Sequence, residues 1–239
     1  MKTVVFEVWS DYAHFRKPYT TTSALSFAVP PITAAAGLVG AIMGIESGGF
    51  GRSSHLPFLR QHRGKFAVSL GSGGISKTKF NVNYLKTKPD KRGRSIQVPV
   101  ELVREPRYRL YVSLADELLT ELTKSLQNGA CYYTPYLGLS EFIATFKFID
   151  LVEFKNIPVP AEVHSLVPLD WFVLEIEPGK RYFRETHSVD MDGRRRVARY
   201  VELAYEGSGK AIRVASAKTE EAQVWEGNVG GSIERVVFL

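Results

Sequence analysis

The chain has 239 residues, 44% of them hydrophobic and 23% charged, an ordinary globular composition that excludes intrinsic disorder and suffices for one large core or two modest ones. Its most apolar stretch, residues 24–45, is broken by prolines, glycines and serines short of the ~20 continuous apolar residues of a bilayer span, and Glu7 interrupts what would have to be a signal-peptide core. The single cysteine, Cys131, excludes an internal disulfide and any Cys-x-x-Cys site, so the expectation is a soluble protein in a reducing, cytoplasmic setting with no membrane partner.

Charge is unevenly spread. Residues 52–94 hold eleven basic residues and one acid, a net +10 within a chain whose total is +6, which leaves −4 for the remainder. A clustered positive field attracts phosphate backbones over a Debye length of roughly 8 Å, whereas a dispersed one does not. A lysine-rich loop that only solvates the surface is the competing reading of the same count.

Residues 3–9 alternate with a period of two and predict a strand. Pro30-Pro31 then opens a segment whose apolar positions recur at three and four, a helix expected to end near Gly48-Gly49. Its glycines 37, 40 and 44 cost about 1 kcal/mol each against alanine, and on one stripe with Ala41 they imply a tightly packed neighbour. Residues 65–71 read as a second strand. Residues 96–114 read as a long third strand bent at Pro99 and Pro106, because proline removes a ladder donor. Residues 115–126 place Leu118, Leu119, Leu122 and Leu126 on one helical face, with acids in the first turn and Asn128-Gly129 as the stop. Residues 142–154 alternate as a fourth strand.

The order β-α-β-β-α-β predicts an α+β, ferredoxin-like fold, the architecture shared with RNA-recognition domains. A connector at 158–168 leads to short strands at 171–176, 181–188, 197–206, 211–215 and 233–238. Asp192-Gly193 and Gly207-Ser208-Gly209 are placed at turns needing positive φ. The expected division is a domain over 1–156, with a basic hairpin or thumb at about 72–96, and a small β-rich C-terminal subdomain over 157–239.

Motifs for phosphate-binding loops, zinc proteases and nucleophile elbows are absent from the sequence, and the five histidines, 14, 55, 62, 164 and 187, match no common metal spacing. Neither a metal nor a cofactor is expected. Metal-independent RNA cleavage needs a base, an acid and a cation, roles that His14, Tyr19, His62 and Lys77 can fill, but no local spacing unites them.

Two stretches carry binding chemistry. Residues 77–94 hold seven cations, Lys77, Lys79, Lys86, Lys88, Lys91, Arg92 and Arg94, with Phe80 and Tyr84 interleaved; cations track phosphates while aromatics stack on bases. The second is His14, Phe15, Arg16, Lys17 and Tyr19, after the first strand. Beyond it the first helix would aim its free amides, near Thr33, at an anion. Arg194-Arg195-Arg196 reads as a solvated hairpin tip.

Taken together, Asp11-Tyr12-Ala13-His14-Phe15-Arg16, Thr21-Thr22-Ser23 and the run from Val29-Pro30-Pro31-Ile32-Thr33 through Gly44 resemble the N-terminal signature of CRISPR-associated protein family five. Thr134-Pro135-Tyr136-Leu137-Gly138-Leu139-Ser140-Glu141-Phe142 resembles that family's second motif. Members of this family cap the 5′ handle of the crRNA in type I Cascade surveillance complexes, and the details most resemble subtype I-B. The resemblance implies a ferredoxin-like RAMP domain whose thumb, at residues 77–94, projects toward the junction of handle and guide. It implies a handle pocket lined by the first-helix region, with Tyr136 of the second motif among the RNA-binding residues.

The partners so implied are the crRNA 5′ handle, the Cascade backbone subunit, the Cascade large subunit and, through the assembled complex, target DNA for antiviral defence, with guide pairing reading the target. One branch of the family processes precursor RNA with a tyrosine and an adjacent Lys-His pair. This chain has no Lys-His dipeptide. A noncatalytic RNA-binding subunit is therefore the leading expectation, and a metal-independent endoribonuclease acting on pre-crRNA is the alternative.

Overall fold

The computed structural model describes residues 1–20, 23–48, 55–71, 73–90 and 93–239, and the side chains of all of these but Lys86, Pro89 and Asp90. The protein is sheet-rich with few helices. In chain order the elements are β1 (Lys2–Trp9), β2 (Tyr12–Ala13), β3 (Phe15–Arg16), β4 (Ser26–Phe27), α1 (Ile32–Met43), α2 (His55–Gln61), β5 (Lys65–Leu70), β6 (Lys77–Asp90), β7 (Gly93–Arg104), β8 (Arg107–Ser113), α3 (Asp116–Gln127) and β9 (Thr145–Glu153). There follow β10 (Lys155–Ile157), β11 (Ala161–Val163), β12 (Val167–Pro168), β13 (Phe172–Glu175), β14 (Tyr182–Met191), β15 (Val197–Glu206), β16 (Ile212–Ala217), β17 (Val224–Val229) and β18 (Ser232–Val236).

The main sheet is antiparallel, in the order β5-β8-β1-β9. Alternation along β1 sends Val4, Phe6 and Val8 into the principal core, which also holds buried residues of α1, α2 and α3. Val5 points the other way, into a second core with Ala67, Tyr111, Phe154, Val236 and Phe238 beneath β17 and β18. The sheet is thus covered on both faces, by helices on one and by the last hairpin on the other. Leu166, Val189, Val201, Leu203 and Tyr205 also belong to the principal core, so the C-terminal strands pack directly on the N-terminal elements.

Several expectations are corrected. Helix α1 stops at Gly44 in the left-handed conformation (φ 75°), four residues before the expected glycine pair, because that residue caps the helix on the Gly40 carbonyl. Gly44 is therefore a terminus, not an interior position. A Cβ at Gly40 would come within 2.5 Å of the His55 ring, and one at Gly44 within 2.7 Å of Tyr132, so these rings are the tightly packed neighbours; one at Gly37 would meet nothing within 4 Å among the described residues. The single long strand over 96–114 is two strands. Glu105 takes a positive φ of 48° before Pro106, which lacks an N–H, and the chain bends there.

The basic stretch pairs with itself as the β6–β7 hairpin, in register from Lys77 opposite Val103 to Leu85 opposite Ser95. At the 192–196 turn the positive φ falls on Arg195 rather than on Gly193. Residues 207–209 form a turn with Gly209 at a positive φ of 83°, as expected, but it links β15 to β16, which lie in different sheets, and closes no hairpin. Helix α2 and the strands β10 to β12 and β17 are too short or too weakly periodic to register in the sequence pattern.

Candidate nucleic-acid interface

Three separate parts of the chain meet at one cleft of about 410 Å³: the segment after β1, the start of α1, and the β14–β15 hairpin, with Tyr84 of β6 closing one side. Its walls include His14, Phe15, Arg16, Thr33 and Tyr84 from the sequence-predicted set, joined by Tyr200.

Local structure explains the placement. Phe15 is 5% exposed, pairs with Phe27 across β3 and β4, and its N–H donates to Ser26 Oγ at 3.0 Å. His14 is also buried, its N–H donating to Leu137 O at 3.0 Å and its ring Nδ1 lying 2.7 Å from Glu101 O. A carbonyl only accepts, so Nδ1 carries the proton and Nε2 of the neutral ring is an acceptor. Gly138 packs against this turn in a left-handed conformation (φ 90°), where a Cβ would collide with the His14 carbonyl oxygen. Thr33 Oγ1 lies 3.3 Å from Ser188 Oγ, tying the first turn of α1 to β14. That turn has no side-chain cap and no acid, and Pro31, Thr33 and Ala34 line the cleft, so the positive end of the helix dipole borders it.

The predicted cations divide into two classes. Lys17 is paired to Glu185 at 2.9 Å and sits 5.3 Å from the Phe27 ring centre; both partners are largely buried. Burial alone would raise the Glu185 carboxyl, but hydrogen bonds and charge from His187 and Lys17 outweigh it and hold it at about 2. Lys77 donates to Ser26 O at 2.6 Å and to Glu101 Oε1 at 3.0 Å. These two lysines are spent on the fold.

Among the described residues Arg16 reaches Thr20 O alone, at 3.5 Å, and Tyr19, on the turn that follows, is 68% exposed. Lys79, Tyr84, Lys88 and Arg94 are exposed along the hairpin. Lys86 lies in β6 with its side chain outside the description, and Lys91 and Arg92 lie outside the described residues. The interleaving of aromatics and cations resolves into two faces near the hairpin root. Phe80, Val82 and Tyr84 share one face opposite Val100, Val98 and Ile96, while Lys77 and Lys79 project from the other.

Tyr136 lies apart, in an adjoining cleft of about 590 Å³ with Gly37, Ala41, Tyr133 and Thr134; Ala34 and Gly138 form the ridge common to both clefts. His62 is elsewhere, its Nδ1 donating to Phe58 O at 2.9 Å within α2. Arg196 is paired to Asp192 at 2.8 Å. Among the described residues no three His, Cys, Asp or Glu side chains gather as a metal site, and no helix is long and apolar enough to cross a membrane.

Sequence reasoning missed the wall supplied by Ser188, Met191, Val197 and Tyr200. A signal existed for Tyr200: it is out of phase with Val201, Leu203 and Tyr205, which are buried, and is itself 52% exposed.

The family model described as CRISPR-associated protein (Cas_Cas5) matches residues 3–205. A search of curated proteins finds no match. Among solved structures, a CRISPR protein from Archaeoglobus fulgidus is similar at 14% identity and a TM-score of 0.56, covering 99% of both chains. A chain of a CRISPR RNA-guided surveillance complex is similar at 12% identity and a TM-score of 0.52, covering 89% of this chain and 91% of that one. At these identities the likeness concerns the fold, while the family match spans most of the sequence. This chain belongs to the Cas5 family of CRISPR-associated proteins.

Proposed function

We propose that this protein is a noncatalytic RNA-binding subunit of a type I Cascade complex, of the subtype I-B kind, that caps the 5′ handle of the crRNA in the cytoplasm. The observation that carries the reading is the convergence of His14, Phe15, Arg16, Thr33 and Tyr84 on one cleft beside an uncapped helix N-terminus. Aromatic walls supply stacking faces, Arg16 and the helix end supply positive potential, and the His14 Nε2 and Thr33 hydroxyl supply hydrogen bonds to a base or sugar.

We take the antiparallel sheet β5-β8-β1-β9, covered on one face by α1 and α3, as the ferredoxin-like RAMP arrangement, and the β6–β7 hairpin as its thumb. Residues 1–156 form the first domain of this reading and 157–239 the C-terminal β subdomain. The thumb cations Lys79, Lys88 and Arg94, together with Lys86, Lys91 and Arg92, follow the RNA backbone, while Phe80 and Val82 on its apolar face meet the backbone subunit and the large subunit. Tyr136 and Tyr19 extend the RNA surface. Lys17 and Lys77 act through the fold, by fixing Glu185 and Glu101.

The noncatalytic part of the reading is supported by the bonds that two of the candidate groups already make, His62 within α2 and Lys77 in an ion pair with Glu101. Incubating purified protein with repeat RNA in EDTA across a salt series tests the whole reading. A mobility shift that weakens with salt and leaves the RNA intact is the expected result. A discrete cleavage product lost on substituting His14 would replace it with the endoribonuclease.

A further inference from the structure

Arg199 and Tyr200 are successive residues of β15 and therefore project to opposite sides of the β14–β15 hairpin. Tyr200 lines the cleft described above. Arg199 lines another, of about 300 Å³, together with Trp171, Trp225, Arg60, Lys65 and Glu221. The two clefts share no residue. The Arg199 guanidinium lies 5.8 Å from the centre of the Trp171 ring and the Lys65 ammonium 5.7 Å from that of Trp225, and both indoles are partly exposed.

Lys17, Lys77, Arg107, Arg109, Arg184, Arg213 and Arg235 all have carboxylate partners. Arg60, Lys65 and Arg199 appear in none of the side-chain ion pairs among the described residues, and Glu221 is the one acidic side chain on the wall. Arg60 is held rigidly, donating to the backbone oxygens of Gly64 at 2.8 Å, Leu239 at 3.0 Å and Val189 at 3.1 Å. Burial pulls its guanidinium down, Asp190 pushes it back, and the like charge of Arg199 lowers it again. An anion entering the cleft relieves that repulsion.

We infer that this cleft is a second nucleic-acid site, taking a phosphate and the adjoining base of a single strand on the opposite side of the β14–β15 hairpin from the first cleft. Lys65 and Arg199 are exposed and long enough to turn from the indole faces to a phosphate, and the indoles they leave become stacking platforms for a base. Arg60 contributes fixed positive potential. An acidic peptide would engage the same cations but would leave both indoles without a planar partner.

Two of the three tryptophans line the cleft, so intrinsic fluorescence of the full chain reports on it directly. Titration with twelve-nucleotide oligo(U) and oligo(dT) is expected to quench the emission saturably. The Lys65→Ala/Arg199→Ala variant should bind about tenfold more weakly, with a salt slope lower by about 1.4, as two phosphate contacts at ~0.7 each require. Lys65→Arg/Arg199→Lys, which keeps both charges, should restore most of the affinity and guards against a folding defect. Tighter binding of oligo(U) identifies an RNA strand and tighter binding of oligo(dT) a DNA strand. No quenching by either, unchanged affinity in the double alanine variant, or equal quenching by poly-glutamate overturns the inference. A thumb variant, Lys79→Ala/Lys88→Ala/Arg94→Ala, separates the two sites: if it leaves handle RNA binding intact the handle-capping reading fails, whatever the tryptophans report.

Discussion

His14 Nδ1 lies 2.7 Å from the backbone oxygen of Glu101, a contact between residues 87 positions apart. At the same point the Glu101 carboxylate accepts from Ser26 N–H at 3.2 Å and from Lys77 at 3.0 Å. One residue of β7 therefore fixes the cleft wall, the β4 backbone and the root of the β6–β7 hairpin. The hairpin and the cleft form one unit.

Glu101→Ala should uncouple them. It leaves a partly buried ammonium and a backbone N–H short of partners, a loss of roughly 1.5–3 kcal/mol, and so a melting temperature lower by several degrees. Handle RNA affinity should fall with it, while Glu101→Gln, which keeps the contact to Ser26 within reach, should retain more of both. Thermal unfolding and a binding isotherm on the same preparations check this.

Two glycines make a controlled pair. Gly138→Ala forces a β-carbon into the His14 carbonyl at a left-handed position, costing about 1–3 kcal/mol for the backbone conformation alone, and should lower both melting temperature and RNA affinity. Gly37→Ala meets nothing among the described residues and should raise stability by up to ~1 kcal/mol through helix propensity. Equal effects of the two would contradict the packing described here.

The pH dependence of stability has a defined sign. Burial tends to raise Glu185, but His187 and Lys17 hold it at about 2 against the ordinary 4.5, so it favours the folded state above about pH 5, and that contribution is lost as pH falls through about 2. The melting temperature should drop across that window, and Glu185→Gln should make the drop shallower. At pH 7 the same variant should be less stable than the parent, because Lys17 loses its carboxylate in a largely buried setting.

Replacing Lys79, Lys88 and Arg94 together should reduce the slope of log affinity for single-stranded RNA against log salt by about two, three contacts at ~0.7 each. Replacing Lys17 should leave that slope unchanged, since Glu185 already neutralises it. Filter binding at four salt concentrations distinguishes the two.

Much of the fold was legible because its signals are local. The alternation in β1, the leucine face of α3, and the proline-opened α1 each depend on neighbours a few residues apart. What escaped was set at a distance. The end of α1 was misplaced because Gly44, not Gly48, packs against Tyr132, 88 positions later. The basic stretch betrayed its charge but not its two-faced hairpin, which depends on the register of Phe80 and Tyr84 against Val100 and Ile96. Lys17 and Lys77 looked like free cations because their partners, Glu185 and Glu101, are remote in sequence. Tyr200 reaches the cleft only through packing of β14 on α1.

The most direct test of the central claim is photo-crosslinking of repeat RNA carrying 4-thiouridine in its 5′ handle to the full chain in EDTA, with the adducts mapped by mass spectrometry. Crosslinks at Phe15, Tyr84 or Tyr200 on uncleaved RNA are predicted. Adducts confined to residues outside the cleft, or a handle cut by the protein, would contradict it.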